Sequence, residues 1–201
     1  MSEELRKAEL DLFPTPVSVY DLEYYDFKPL IKIIEETERG QFHLVSGGES
    51  TFSPVADLLG HPNLVGLRSE LMKCVNDYCH RLGTHRVDIV ESWFNITPPG
   101  GRLELHRHEG SAISGALYPC LNGQDVAPLL FKSPLLPYKM NELYRPGVES
   151  QHAFGFNTVW PSQGLLILFP SWLEHKTDTE IGNRTVVSFN TSYAPETNDS
   201  K

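Results

Sequence analysis

The 201-residue sequence has no long hydrophobic run and few cysteines. Its longest apolar stretch, residues 165–170, is far shorter than the roughly 20 residues that a membrane-spanning helix needs. Residues 1–10 also lack the apolar segment of a signal peptide. An odd number of cysteines, here three, in a chain without an export signal indicates free thiols. We therefore expect a cytoplasmic protein with no membrane association.

Positive charge and the motifs of several common protein classes are also scarce. The chain carries 17 Lys and Arg against 26 Asp and Glu, for a formal net charge of −9. This balance disfavours nucleic acid as a partner. The sequence has no Gly-rich phosphate loop, no C-x-x-C zinc pattern and no Ser/His/Asp nucleophile motif. The absence of these motifs argues against the enzyme and metal-binding classes that they define.

Two kinds of pattern divide the chain. Residues 28–39 and 63–82 are predicted helices, and in the second one apolar residues recur at spacings of three and four. Residues 11–20 look extended because two prolines keep them out of a helix. We expect one domain, in which helical residues 1–85 support a core of residues 86–193 and residues 194–201 form a flexible tail.

From residue 86 onward, the pattern changes to a period of two, with many β-branched and aromatic residues. Short strands in series, without helices between them, are typical of a sandwich or jelly roll. The predicted strands are residues 87–97, 102–108, 112–119, 128–132, 153–160, 165–169, 174–178 and 184–193. The sequence thus predicts a mainly β fold of the jelly-roll, cupin-like class with supporting N-terminal helices.

Three histidines form the most informative constellation. His106 and His108 make an H-x-H at the end of the second predicted strand, so alternation points both side chains to one face. His175 lies near the start of the seventh strand, which can neighbour the second in a jelly roll. Imidazole suits iron, zinc, copper and nickel, and three ligands leave positions open for catalysis. We therefore predict a catalytic metal site, although an H-x-H alone also occurs in ordinary strands.

Arg184 opens the last predicted strand, where its side chain would point into the barrel. A buried guanidinium needs an anion, and its planar fork suits a carboxylate. Ser188 and Asn190 share its face, and Tyr118 on the third strand could add a hydroxyl group. The alternative is a surface arginine beside Glu180 in a turn.

Together these segments carry a family resemblance. They are LFPTPV at residues 12–17, W-x-N at 93–95, H-x-H at 106–108, SAISGALYP at 111–119, GLLILFPSWLEH at 164–175 and NRTVVSFN at 183–190. In this order they resemble the iron(II)- and 2-oxoglutarate-dependent oxygenases, and more narrowly an oxygenase family found in bacteria and marine phages. The resemblance covers about residues 11–193. It implies a double-stranded β-helix and a dioxygenase that hydroxylates an unidentified substrate with release of succinate and carbon dioxide.

The resemblance also implies roles for individual residues. Iron(II) would be held by His106, His108 and His175. The distal carboxylate of 2-oxoglutarate would be gripped by Arg184, with Ser188 and Tyr118 assisting and Asn95 and Asn190 as further pocket residues. Trp172, in the FPSW turn, would pack beneath the metal.

One position departs from the larger superfamily, which uses two histidines and a carboxylate. Here His108 stands where that carboxylate would be, and Glu109 follows it. Because strand alternation turns Glu109 away, we predict His108 as the ligand and keep Glu109 as the alternative. Three neutral imidazoles would leave the metal more positive, which would weaken metal retention and alter oxygen activation.

The substrate side is less defined by the sequence. An insertion at residues 133–151 is a candidate substrate loop, with the loop at residues 40–54 as a second wall. Weak substrate candidates are Trp93, Tyr138, Tyr144 and Arg145. Apolar residues expected to exclude water from the site are Leu117, Leu166, Leu168 and Phe189.

Three hypotheses follow. The first is the iron(II)/2-oxoglutarate oxygenase acting on a small molecule or a peptide. The second is a cupin-like three-His metalloenzyme that does not use 2-oxoglutarate. The third is a non-enzymatic jelly-roll binding module with an incidental histidine cluster. A homo-oligomer is compatible with each.

Overall fold

A computed structural model describes residues 14–53, 55–121, 125–135 and 155–193. These residues form two α-helices and eleven strands. The helices are α1 (Lys28–Glu36) and α2 (Val65–Leu82). The strands are β1 (Ser18–Asp21), β2 (Val45–Ser46), β3 (Glu49–Ser50), β4 (Val87–Thr97), β5 (Arg102–Leu103), β6 (Ile113–Leu117), β7 (Leu129–Lys132), β8 (Phe156–Val159), β9 (Leu165–Pro170), β10 (His175–Thr177) and β11 (Arg184–Tyr193).

The strands form a large sheet, a small sheet and a short two-stranded pair. The large sheet has the order β1-β9-β6-β11-β4-β3, the small sheet has the order β10-β7-β8, and β2 pairs with β5. Adjacent strands run antiparallel. The non-consecutive order of neighbours is that of a double-stranded β-helix, which confirms the predicted fold class.

One face of the large sheet packs against the helices. Side chains of β11 alternate, so that Val187 and Phe189 join the apolar stripes of α1 and α2 in one buried cluster. Leu117, Leu166 and Leu168 lie in the same cluster. The prediction that these residues and Phe189 wall the site is therefore wrong, because their face of the sheet is covered by helices.

The opposite face of the large sheet looks into the barrel. A second buried cluster joins this face to the small sheet. Its members include Ala116, Tyr118, Leu129, Phe131, Ile167, Phe169 and Val186. The registers of β11 with β4 and β6 place Arg184 and Ser188 on this inward face as well, in line with Val186.

The N-terminal part differs from its predicted helical character, since it also contributes β1, β2 and β3. β2 and β3 have only two residues each, too few for a period of two to show in the sequence. The predicted strand 102–108 is likewise reduced to β5 and one isolated bridge between His106 and His175. The predicted tail, residues 194–201, lies outside the described residues.

The predicted helix 63–82 is confirmed as α2, preceded by a 3-10 turn at Pro62–Leu64. It ends at Gly83, whose φ of 64° is the left-handed geometry that suits glycine. Neither α1 nor α2 is long and apolar enough to cross a membrane. The cysteines are free thiols, as predicted.

Gly115 offers a test of this packing. A Cβ on this residue would overlap Cζ of Phe189, whose ring is fully buried between sheet and helices. We expect Gly115→Ala to lower the free energy of unfolding by about 1–3 kcal/mol, since the ring must shift inside a dense core. Urea unfolding measures the change.

Gly40→Ala is the matched control, because nothing lies within 4 Å of a Cβ there. It should change the free energy of unfolding by no more than about 0.5 kcal/mol. An equally small effect at Gly115 would contradict the described packing of Phe189.

Candidate active site

The three histidines come together where the two sheets meet. His106 and His175 exchange both backbone hydrogen bonds, at 3.0 and 2.9 Å, which fixes the two chain segments side by side. The backbone N–H of His108 donates to the carbonyl oxygen of Ser171 at 2.9 Å. Three backbone hydrogen bonds therefore hold the imidazoles in place before any ligand binds.

The imidazole rings face a common point. One nitrogen from each of the three rings lies within 4.8 Å of the other two. Nε2 of His108 is 3.4 Å from Nε2 of His175. Nδ1 of His106 lies 2.8 Å from the carbonyl oxygen of Glu104, and Nδ1 of His175 lies 2.9 Å from that of Leu173. A carbonyl accepts only from N–H, so these contacts assign the proton to Nδ1 and leave Nε2 with a free lone pair.

Burial keeps these imidazoles neutral. Desolvation lowers the pKa of His106, lowers that of His108 to about 3, and lowers that of His175 well below its ordinary value. At neutral pH all three rings are therefore neutral, each with a single N–H. Neutral imidazole is the form that binds a metal, so the cluster could hold a metal ion such as iron.

Glu109 lies outside this cluster. Its side chain is 76% exposed and its carboxylate accepts from Nη2 of Arg107 at 2.7 Å. Glu109 lies in a turn after the His106 bridge, and its side chain points to solvent. The structure brings His108, and not Glu109, to the other two histidines.

A buried polar network supports the turn beneath His108. The hydroxyl groups of Ser114 and Ser171 are 2.8 Å apart, and Ser114 also donates to Oδ1 of Asn190 at 2.8 Å. Nδ2 of Asn190 donates to the carboxylate of Glu91 at 3.0 Å. Because both ends of the Asn190 amide have protein partners, this side chain holds the Ser171 turn rather than facing the cavity.

The tryptophans near the cluster differ from each other. Trp93 is buried, with its ring centroid 5.8 Å from that of His108 and 4.9 Å from that of Phe52. Trp172 is 53% exposed, whereas the next residue, Leu173, is buried in the barrel. The prediction that Trp172 packs beneath the metal is therefore wrong, and the apolar anchor of that turn is Leu173.

Arg184 is buried inside the barrel, so the alternative of a surface arginine is wrong. Its Nη1 donates to Oε1 of Glu180 at 3.2 Å, and its Nη2 donates to the hydroxyl oxygen of Tyr118 at 2.8 Å. Its Nε has no hydrogen-bond partner among the described residues. The pKa of His175 is lowered by burial first, then by the neighbouring histidines, and to a smaller extent by the positive charge of Arg184.

Asn95 is a second buried group with spare hydrogen-bonding capacity. It lies between Trp93 and Thr97 on the inward face of β4 and opposite Val186 of β11. Its Oδ1 has no partner in the described part of the chain. A buried polar atom without a partner is costly, so Asn95 and Arg184 both indicate a polar ligand in this cavity.

Some site residues lie beyond the reach of sequence patterns. Tyr138, Tyr144 and Arg145 fall outside the described residues. The sequence does not predict the burial of Glu180, because a residue in a turn is expected at the surface. In the loop at residues 40–54, the ring centroids of Phe42 and Phe52 are 4.7 Å apart, and the ring of Phe52 contacts that of Trp93. The spacing of Phe42 and Phe52 along the chain does not predict this contact.

Comparison with protein families identifies this arrangement. The family model described as "Putative 2OG-Fe(II) oxygenase" matches residues 91–190, which contain the histidines and Arg184. The chain belongs to the iron(II)- and 2-oxoglutarate-dependent oxygenases. This membership supports the oxygenase over a cupin-like enzyme or a non-enzymatic module. A comparison with curated proteins finds no match.

Solved structures share the fold of this oxygenase at low sequence identity. A prolyl-4-hydroxylase from Pseudomonas putida is 16% identical, with a TM-score of 0.60, and the match covers 92% of this chain and 96% of that one. HygX from Streptomyces hygroscopicus, solved with nickel and 2-oxoglutarate, is 13% identical, with a TM-score of 0.61 and coverages of 90% and 84%. A prolyl hydroxylase from Trichoplax adhaerens, solved with a peptide fragment, is 13% identical, with a TM-score of 0.56 and coverages of 87% and 82%.

Single substitutions distinguish the two candidates for the third ligand. We expect His108→Ala to weaken iron(II) binding by more than the roughly 10–100-fold that loss of an outer partner of a metal ligand costs. Glu109→Ala should leave the affinity unchanged, because its carboxylate faces solvent. Anaerobic titration with iron(II) measures both. Retained affinity in His108→Ala together with a loss in Glu109→Ala would make Glu109 the ligand.

Proposed function

We propose that this oxygenase holds iron(II) with His106, His108 and His175 and binds the distal carboxylate of 2-oxoglutarate with Arg184. The observation that carries the proposal is that three neutral imidazoles meet at one point while a buried guanidinium lies in the interior of the same barrel. A metal centre needs the first feature, and a dicarboxylate co-substrate needs the second.

The residues present fit iron(II). All three donors are imidazole nitrogens, which suit this metal, and carbonyl acceptors orient at least His106 and His175 with Nε2 free. Three ligands leave coordination positions open for co-substrate and oxygen. The set departs from two histidines and a carboxylate, so the protein leaves more positive charge on the metal.

The residues also fit 2-oxoglutarate. Arg184 offers Nε without a partner, and its Nη2 is already aligned by the hydroxyl group of Tyr118. Ser188 shares the inward face of β11, and Asn95, whose Oδ1 has no partner among the described residues, lies on the inward face of β4. Asn190, whose amide is engaged by Ser114 and Glu91, serves instead as a support for the metal-side turn.

Bound together, iron(II), 2-oxoglutarate and oxygen supply an oxidation of the substrate, with release of succinate and carbon dioxide. The chain's own residues bind, orient and shield. Phe131 and Phe169 cover His175, with ring centroids 6.0 and 4.7 Å away, and keep that side of the cluster dry. We propose hydroxylation as the outcome.

The substrate, in this proposal, enters past the loop at residues 40–54. A cavity of about 810 Å³ is lined there by Phe42, His43 and Glu104, among others. It adjoins the histidines, because the carbonyl of Glu104 accepts from His106. The similar structures include one with a peptide fragment and one with hygromycin B. Both a peptide and a small molecule suit a cavity of this size. Trp93 lies between Phe52 of this loop and His108.

Two further parts of the proposal concern the protein's setting. The free cysteines Cys74, Cys79 and Cys120 suit a reducing compartment, which supports a cytoplasmic location. A homo-oligomer stays a prediction.

The role of Arg184 is tested by substitution. We expect Arg184→Ala to keep iron(II) binding and to weaken 2-oxoglutarate binding by about 30-fold or more, since loss of a buried charged partner costs roughly 2–5 kcal/mol. Anaerobic titration of the iron-loaded protein with 2-oxoglutarate, followed through the metal-to-ligand charge-transfer band, measures the affinity. An unchanged affinity would refute the clamp.

Arg184→Ala leaves Glu180 buried without its partner, which destabilises the fold. The double variant Arg184→Gln with Glu180→Gln removes both buried charges and serves as the second test. It should fold, bind iron(II) and bind 2-oxoglutarate as weakly as the single variant does.

A further inference from the structure

Glu180 is a buried carboxylate inside the pocket that the proposed function assigns to the co-substrate. It is 2% exposed and its Oε1 accepts from Nη1 of Arg184 at 3.2 Å. Its Oε2 accepts from the backbone N–H of Ala127 at 2.8 Å. Both carboxylate oxygens are therefore held by the protein, and one of them occupies a donor of the guanidinium.

The backbone of Glu180 is held in place by hydrogen bonds through both its N–H and its carbonyl group. Its N–H donates to the carbonyl of Gly101 at 2.7 Å, and its carbonyl accepts from Gly100 at 2.9 Å. The loop before β5 is thus bound to the turn after β10 by two backbone hydrogen bonds. These two bonds fix the backbone of Glu180, and the contacts of its carboxylate with Arg184 and Ala127 hold the side chain near the guanidinium.

The charges at this position balance only while the pocket holds no other anion. One guanidinium and one carboxylate sum to zero. A second carboxylate, brought by a dicarboxylate ligand, leaves an excess negative charge in a dry cavity. Like charges that share a buried site cannot both stay ionised at low cost, so one carboxyl group takes up a proton.

We propose that Glu180 competes with the co-substrate's distal carboxylate for Arg184 and takes up one proton from solvent when the co-substrate binds. In that step the Glu180 carboxylate becomes a neutral carboxylic acid, its hydrogen bond from Arg184 is exchanged for one to the co-substrate, and no other covalent bond forms or breaks within the protein. Glu180 is thus a specificity residue, since it sets the affinity for a dicarboxylate. The inference rests on the assignment of Arg184 as the carboxylate clamp.

The surroundings of Glu180 are compatible with proton uptake. Burial raises the pKa of its carboxyl group even though Arg184 and the Ala127 N–H act to lower it. In the described part of the chain, the charged and titratable groups that face it are Arg184 and, through Arg184, the Tyr118 hydroxyl. The loop at Gly100 and Gly101 presents backbone groups only.

Isothermal titration calorimetry tests the proposal without turnover. The protein is loaded with nickel(II), a metal that does not support the oxidation, and titrated with 2-oxoglutarate at pH 8 in two buffers of different ionisation enthalpy. The wild type should take up close to one proton per ligand, and its affinity should rise as the pH falls. Glu180→Gln should take up none and bind at least about tenfold more tightly, because the competing charge is gone.

Three controls make the result specific. Titration with 2-oxopentanoate, which keeps the 2-oxo acid but lacks the distal carboxylate, should show neither the proton uptake nor the gain in affinity. Glu70→Gln removes a carboxylate that pairs with Lys73 on α2, and it should behave like the wild type. Glu180→Asp keeps the charge and should keep the proton uptake, which covers the case in which Glu180→Gln does not fold.

Each outcome has a distinct meaning. Unchanged affinity and proton uptake in Glu180→Gln would overturn the inference and leave Glu180 a structural support. Weaker binding in that variant would also overturn it, because Glu180 would then position Arg184 instead of competing. If Arg184→Ala retains full 2-oxoglutarate affinity, the clamp itself fails. A loss in Arg184→Ala with no effect at Glu180 refutes only the competition.

Discussion

The backbone bridge between His106 and His175 is the constraint on which the rest of this structure depends. With two hydrogen bonds it joins His106, which lies shortly after β5, to His175, the first residue of β10 and 69 residues further along the chain. His108 is then placed by its own bond to the Ser171 carbonyl. Without these three bonds the imidazoles would not share one point, because β5 and β10 are too short to define a register alone. The Ser114–Ser171–Asn190 network stabilises the same turn from below.

Electrostatics in the barrel follow from burial. Desolvation favours neutral imidazoles, which prepares three lone pairs for a cation and adds no negative charge to it. Deeper in the barrel, Arg184 is compensated by Glu180 and by the Tyr118 hydroxyl. The protein thus places its buried charge in a matched pair, and it leaves the metal centre to neutral ligands. In the proposed function, this separation makes the carboxylate balance at Arg184, rather than the histidine set, the point at which an anionic co-substrate is selected.

Long, strongly alternating segments were predictable from the sequence, and short or shape-dependent features were not. β4 and β11 have the predicted bounds, because ten or more residues of period two leave little ambiguity. The sequence did not reveal which face of the sheet points into the barrel. A period of two separates the two faces without naming the one that helices cover, so Leu166 and Phe189 were assigned to the wrong side. Glu180 was read as a surface neighbour of Arg184, since its burial arises from backbone pairing with Gly101 that no local pattern encodes.

X-ray absorption spectroscopy of the anaerobic iron(II)-loaded protein tests the central claim most directly, because the multiple scattering of imidazole rings counts the histidines bound to the metal. The account predicts three imidazoles on iron in the fully loaded wild type. Two imidazoles with a protein carboxylate, or fewer than three at full metal occupancy, would contradict it.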